Sequence, residues 1–440
     1  MDNGSRGGPS IQLVTERAVV LGCGIAGLAA AAALRPHFDD VLIVERDRLP
    51  DQPTSRSGVP QGEQLHNLLS RAQHELDRLI PGFTDALVAA GAGRAGVAAQ
   101  THVFELGVRM PERDLGMSLM CASRPLIEHT TRRLLLESGG VSIREGTRAI
   151  GLEVDGDSVT GVWLQDDDAS STVSASIVVD ATGTSSRAPR WLQALGRMPP
   201  PVELIDVAQW YVSTRFRRPD EWRDRDDFWL TFPTPPGTRG ALVSPSGPDE
   251  WYVSVSGRAG DPRPATVEEV RAHLASLEDP AIGELIAAAE PTSTPSLFRR
   301  PTARLRRFER LPRPLTGLLP LGDSLASLNP LFGQGMSVAA WQAGVLADLL
   351  TARPPSLATL TSVYLSRAAD AAATALQLGS AIDDVLVADA GADSHARADA
   401  LAAFAATLDD DPELHRRYVR VWHLLEPASS LRPQTDGAVI

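Results

Sequence analysis

The order of apolar and polar positions divides the chain into stretches of different character. Two short aliphatic runs, 18–21 and 41–45, flank an alanine-rich apolar segment at 25–34, and this spacing predicts strand, glycine turn, helix, strand. The apolar stretch 18–34 is short for a membrane span and is interrupted by three glycines, so a βαβ unit is the better parse. Apolar residues at helical spacing (Leu65, Leu68, Leu69, Ala72, Leu76, Leu79) predict a helix over 64–79, with further helices over 84–90 and 124–136. Strands are expected at 142–143, 149–154, 159–164 and 172–179, separated by Asp-Gly and Asp-rich turns, as a meander. Between 202 and 256 Trp and Tyr concentrate in alternating runs that read as an antiparallel sheet. A strand and turn return at 318–324, a helix at 335–350, and Ala- and Leu-rich helices fill the chain beyond Pro355 to about 425.

The expected class is α/β: a Rossmann-like nucleotide-binding domain with an inserted antiparallel sheet and a C-terminal helical region. The expected boundaries are 15–200 for the first part of the nucleotide domain, 201–300 for the inserted sheet, 301–350 for the second part, and 351–440 for C-terminal helices and tail.

Charge narrows the partners. Forty-two basic residues against fifty-five acidic ones give a net charge of −13, which argues against nucleic acid or an anionic membrane and toward a small molecule. Every basic residue is arginine, so no mechanism that needs a lysine is open to this chain. The two cysteines, Cys23 and Cys121, cannot build a disulfide framework or a cysteine-rich zinc site, and the histidines lack metal-ligand spacing, so no metal is expected. With no secretory signal at the start of the sequence, the expected location is the cytoplasm.

Gly22, Gly24 and Gly27 form G-x-G-x-x-G between the first strand and helix, and Glu45 ends the next strand. The first glycine permits the turn, the second lets a pyrophosphate approach backbone N–H groups, and the third lets the helix pack closely, while Glu45 can accept from ribose hydroxyls. Gly91, Gly93 and Gly96 repeat the spacing but follow a helix, and are expected to form a helix C-cap and loop. One dinucleotide site results, so a nicotinamide, if used, visits without a domain of its own.

The far end of the chain makes the cofactor specific. Gly322-Asp323 after an apolar strand, then Asn329-Pro330-Leu331-Phe332-Gly333-Gln334-Gly335-Met336 opening a helix, resembles the second FAD fingerprint of the group A (p-hydroxybenzoate hydroxylase-like) flavoprotein monooxygenases. Arg124 matches an arginine that opens a helix near the cofactor in that family, and residues 180–187 (DATGTSSR), starting at Asp180, resemble its middle motif. The resemblance implies non-covalent FAD held by Gly22, Gly24, Gly27, Glu45, Arg46, Arg56, Arg124, Asp180, Asp323, Pro330, Gly333, Gln334, Gly335 and Met336. It also implies NAD(P)H as transient reductant, O₂ as co-substrate, and oxygen transfer through a flavin C4a-hydroperoxide.

The segments 56–69, 178–196 and 321–343, with VRVWHLLEP near the C-terminus, are most similar to polyketide-tailoring epoxidases of the polyether (lasalocid and monensin) type. Glu63 and Thr184 depart from that pattern. Trp210, Tyr211, Phe228, Trp229, Phe232, Trp251 and Tyr252 fit a pocket for a hydrophobic substrate, with about half of them expected to serve sheet packing, and Trp210, Trp229, Phe232 and Phe332 are the expected walls. His66 is either a flavin or substrate contact or a packing histidine. Flavin halogenases, which need a lysine, are excluded, whereas a non-redox [4+2] cyclase that keeps FAD as a wall remains open.

Overall fold

The computed structural model describes residues 17–431 apart from Ser57, Pro60, Gln61, Glu63, Leu106, Asp168, Pro235, Pro236 and 388–391. Glu63 therefore lies outside the described residues.

A five-stranded parallel sheet carries the cofactor end, in the order Leu318–Pro320, Ile177–Asp180, Arg17–Leu21, Asp40–Val44, Val141–Arg144. Its central strands are apolar at nearly every position because both faces are covered. Helix Ile25–Leu34 matches the predicted span and is buried almost all round, packing against helix Gly335–Ala352 with its alanines.

The meander is smaller than the turn signals predict. Only Arg148–Asp155, Ser158–Gln165 and Ser170–Ser174 form it. The run expected at 172–179 breaks at Ser176, whose N–H donates to the Arg17 carbonyl, and its second half joins the parallel sheet. The alternating exposure of Ser170–Ser174 and the complete burial of Ile177–Asp180 record that change of environment. Residues 142–143 likewise belong to the edge strand of the parallel sheet. The helix expected over 64–79 covers Ser70–Leu79, since Asn67–Leu68 pairs with Ser118–Cys121 instead.

The aromatic-rich region forms an eight-stranded sheet: Ala326–Ser327, Ser296–Arg306, Val202–Arg217, Glu250–Arg258, Gly240–Pro245, Phe228–Thr231, Thr101–Glu105, Val108–Arg109. Strand Ser296–Arg306 runs through the expected boundary at 300, and strands Thr101–Glu105 and Val108–Arg109 come from the first part of the chain, so this sheet is wider than the 201–300 insertion. Helices Val267–Ala275 and Ala281–Ile286 cover one face. Among the described residues beyond 355 the α-helices are Leu357–Val387, Ala392–Asp410 and Pro412–Trp422. Asp411 caps the last of them by accepting from the N–H groups of Glu413 and Leu414, with Pro412 at its first position. Among the described residues no helix is long and apolar enough to cross a membrane.

Candidate cofactor and substrate site

One cavity of about 1050 Å³ runs from the first glycine turn, past the Asp323 turn, to the inner face of the eight-stranded sheet. Its two ends are chemically distinct.

At the glycine end, Gly22 has φ +98°, and a Cβ there would lie 2.6 Å from the Ala181 carbonyl oxygen. A Cβ on Gly27 would lie 1.9 Å from the Gly22 oxygen, so that glycine serves helix packing and does not line the cavity. Gly24, Ile25 and Ala26 do line it, at a helix start with no side-chain cap and no acidic residue in the first turn. Open N–H groups at a helix N-terminus favour a phosphate there.

Glu45 faces the same space, but its carboxylate already has work: Oε2 accepts from the Cys23 N–H at 2.7 Å and lies 3.1 Å from the Arg56 guanidinium, and Oε1 accepts from the Asp47 N–H at 3.0 Å. It braces the glycine turn and, with about four lone-pair positions, still has capacity for a hydroxyl. Arg56 also meets Asp47 at 2.8 Å and Glu128 at 3.4 Å, and Arg124 donates to Glu128 at 2.5 Å. Burial opposes the Arg56 charge, yet Glu45 and Glu128 hold its pKa above the ordinary value. Arg46 lines the cavity from a more exposed position. Burial pushes the Cys23 and Cys121 thiols up to about 12, which leaves both as unreactive fillers.

The second turn approaches from the opposite side. Asp323 follows strand Leu318–Pro320, keeps 28% of its side chain exposed to the cavity, and lies 3.9 Å from Arg300. Its surroundings raise its pKa by desolvation, against the pull of Arg300, Arg124, Arg304 and Arg306. Pro330, Phe332, Gly333 (φ +64°), Gly335 and Met336 line the cavity, and nothing lies within 4 Å of a Cβ built on Gly335. The space before this second helix start is open to a ring or an anion.

Two expected contacts are corrected. Asp180 is fully buried and outside the cavity: it accepts from the Thr182 N–H and hydroxyl and from the hydroxyls of Ser324 and Ser186, and so ties the 181–187 turn to the Asp323 turn. Gln334 also turns away, donating to the Trp422 carbonyl at 3.3 Å. His66 lines the cavity with Nδ1 donating to the Gln64 carbonyl, which leaves Nε2 an acceptor. Burial and nearby Arg124 push its pKa down to about 3, so the ring is neutral.

The aromatic end holds a larger correction. Trp210 and Trp229 lie on the outer face of the sheet: Trp229 packs against Trp222 and Trp251, Trp210 bonds the Arg258 carbonyl and meets His273, and neither reaches the cavity. Their neighbours point inward because side chains alternate along a strand. Tyr211, Phe228, Leu230 and Phe232 line the chamber, and Tyr211 donates to the Asn329 side chain at 3.0 Å. Phe232 and Phe332 both line the chamber and stack on each other, with ring centroids 6.2 Å apart. The side chains that sequence reasoning missed come from the last helix, whose His415, Tyr418, Val419 and Trp422 close the chamber. Its strong amphipathicity was the available signal.

The repeated G-x-G-x-x-G spacing, expected to form a helix C-cap and loop, does so in part: Gly91 (φ +102°) follows the end of helix Phe83–Ala89, but Gly93–Gly96 is a strand paired with Ser118–Cys121.

Two glycine turns closing on one cavity, with ionic and apolar ends, define a dinucleotide-binding flavoprotein site. The chain belongs to the family described as FAD binding domain, whose pattern matches residues 15–354. It is accordingly an FAD-dependent oxidoreductase. Protein Rv3254 of Mycobacterium tuberculosis is 30% identical over 430 residues, covering 93% of this chain and 90% of that one. Among solved structures, p-nitrophenol 4-monooxygenase PnpA from Pseudomonas putida DLL-E4 superposes with a TM-score of 0.67 at 16% identity, covering 95% of this chain and 99% of that one. The Diels-Alderase PyrE3 of the pyrroindomycin pathway does so at 0.65 and 19% identity, over 94% and 81%.

Proposed function

We propose that the protein is a monooxygenase that uses FAD to epoxidise or hydroxylate a hydrophobic small molecule of polyketide type. The observation that carries this reading is the continuity of one cavity between the two glycine turns and the chamber walled by Phe232, Phe332 and Trp422. Bound FAD supplies the two-electron chemistry that activates O₂.

The protein's own part is binding, positioning and exclusion of water. Gly22, Gly24 and the following helix start would hold the pyrophosphate, Glu45 a ribose hydroxyl, Asp323 the ribityl chain, and the Gly335 helix start the polar edge of the flavin ring. Arg46, Arg56 and Arg124 would balance charge. The aromatic walls would receive an alkene or arene and exclude water from it. Neutral His66 is an acceptor beside the cofactor end, not an acid. The reductant would be NAD(P)H visiting from solution, and Cys23 and Cys121 as thiols suit a reducing cytoplasm. The motif resemblance to polyether epoxidases makes a polyene the first substrate class to try.

The test is oxidation of NAD(P)H by the holoenzyme. Hydrophobic polyenes should stimulate NAD(P)H and O₂ consumption together. Conversion of a polyene to an isomer in an anaerobic tube without NAD(P)H would instead establish the non-redox cyclase.

A further inference from the structure

Glu105 stands apart from the groups that the proposed reaction uses. It ends strand Thr101–Glu105, is 3% exposed, and lines the chamber between the sheet and the last helix. A carboxyl group is an expensive thing to bury in an apolar chamber. One oxygen is satisfied, since Oε2 accepts from the Tyr418 hydroxyl at 2.8 Å. The other, Oε1, is buried and has no hydrogen-bond partner among the described residues. The same cavity is lined by the apolar Val103, Phe232, Phe332, Val419 and Trp422, and the last helix adds His415, whose ring burial keeps neutral with its pKa lowered to about 4. Tyr418 is the group from the last helix that faces the carboxyl, and among the described residues no arginine pairs with it.

An unmatched acceptor in an apolar chamber is a mark of selection. It penalises a ligand that presents only hydrocarbon or another acceptor, and rewards one that brings a hydroxyl donor to that point. The rings of Tyr418, Trp422 and Phe332 lie in succession between Glu105 and the turn that opens the Gly335 helix, so the donor belongs to a part of the ligand away from the flavin end.

We propose that Glu105 is a substrate-recognition residue whose free carboxyl oxygen accepts a hydrogen bond from a hydroxyl of an otherwise hydrophobic substrate. The proposal rests on the aromatic chamber being the substrate's, as in the reading above, but not on any oxygen transfer. Burial lifts the carboxyl to about 7, with the Tyr418 bond pulling the other way, so the acceptor form is the charged one and dominates in mildly alkaline solution.

The experiment is calorimetric titration of the FAD-loaded protein at pH 8.5, without reductant, with farnesol and with farnesyl methyl ether. The two differ by one methyl group on the oxygen, and only the alcohol donates. Wild type should bind farnesol roughly tenfold more tightly, as for one hydrogen bond to a charged acceptor. Glu105→Met, unbranched and of similar size, should erase that preference. Glu105→Gln should erase it too, because its amide oxygen takes the Tyr418 bond and its NH₂ faces the chamber as a donor, to which the oxygens of alcohol and ether both accept. Equal affinities in wild type, undetectable binding of both included, overturn the proposal, as does an unchanged preference in both variants. Since no turnover is involved, these results stand whether or not the oxygenase reading holds.

Discussion

The rings of Phe332 and Trp422 stack with centroids 5.7 Å apart and planes 23° from parallel. This contact joins the turn that opens the Gly335 helix to the last helix of the chain, and the bond from Gln334 to the Trp422 carbonyl fastens the same pair of elements. The C-terminal helix is therefore part of the site. Trp422→Ala should raise KM for a hydrophobic substrate by roughly tenfold, the worth of a lost aromatic wall, while flavin content per chain stays near wild type. Flavin loss in step with activity, measured by absorbance after gel filtration, would mean that the helix holds the cofactor turn in place.

Asp323→Ala should weaken FAD retention by about ten- to a hundredfold through loss of a charge-assisted bond, read by dialysis against apo-protein. Gly93→Ala should not. A Cβ there would meet Asp226 at 2.9 Å and Pro245 at 3.1 Å, so its effect falls on local stability alone. Equal flavin loss in the two variants would contradict the assignment of the cofactor to the Asp323 turn.

Gly27→Ala places a methyl 1.9 Å from the Gly22 carbonyl oxygen, which the helix and turn can relieve only by moving apart. We expect a destabilisation of about 3 kcal/mol and purification largely without flavin, checked by denaturant unfolding and visible absorbance. A yellow variant with wild-type stability is the contrary result.

Trp229 and Phe232 should separate. Trp229→Ala opens the outer core against Trp222 and Trp251 and should cost about 3–5 kcal/mol of stability. Phe232→Ala should impair turnover more than stability, because its ring stacks on Phe332 in the wall that lines the chamber. Urea unfolding beside steady-state kinetics distinguishes the two patterns, and a reversal of them would put Trp229 in the pocket.

Glu105 gives a pH signature. Its carboxyl keeps the proton up to about 7 in the folded chain, chiefly by desolvation, against an ordinary value of 4.5 in the unfolded one. The folded state thus binds more protons in that window, and the stability that Glu105 contributes, fully present below pH 4.5, is lost as pH rises through about 7. Glu105→Gln should flatten that fall in the unfolding free energy between pH 5 and 8. An unchanged slope would place the carboxyl's titration elsewhere.

The cofactor end was legible because its chemistry is local. A glycine turn needs its glycines in order, and helix Ile25–Leu34 lies where the apolar run predicts. Asp180 and Gln334 belong to the right motifs, but whether a side chain faces ligand or protein depends on hydrogen bonds made to residues far away in sequence, Ser324 and Trp422. The chamber was legible only in composition. A strand buried on both faces is apolar at odd and even positions alike, so period two does not tell Trp210 from Tyr211, and the covering helices on one side decide it. The last helix shows an apolar stripe without showing where it docks, and Glu105 in FELG resembles an ordinary strand-end acid until Tyr418 is brought against it.

The most direct measurement of the central claim is product mass after incubating the FAD-loaded protein with a polyene and NAD(P)H under oxygen-18 gas, beside an anaerobic control without reductant. The monooxygenase reading predicts a product that carries one oxygen-18 atom in the first tube and unchanged polyene in the second. An isomer of unchanged mass in the anaerobic tube would contradict it.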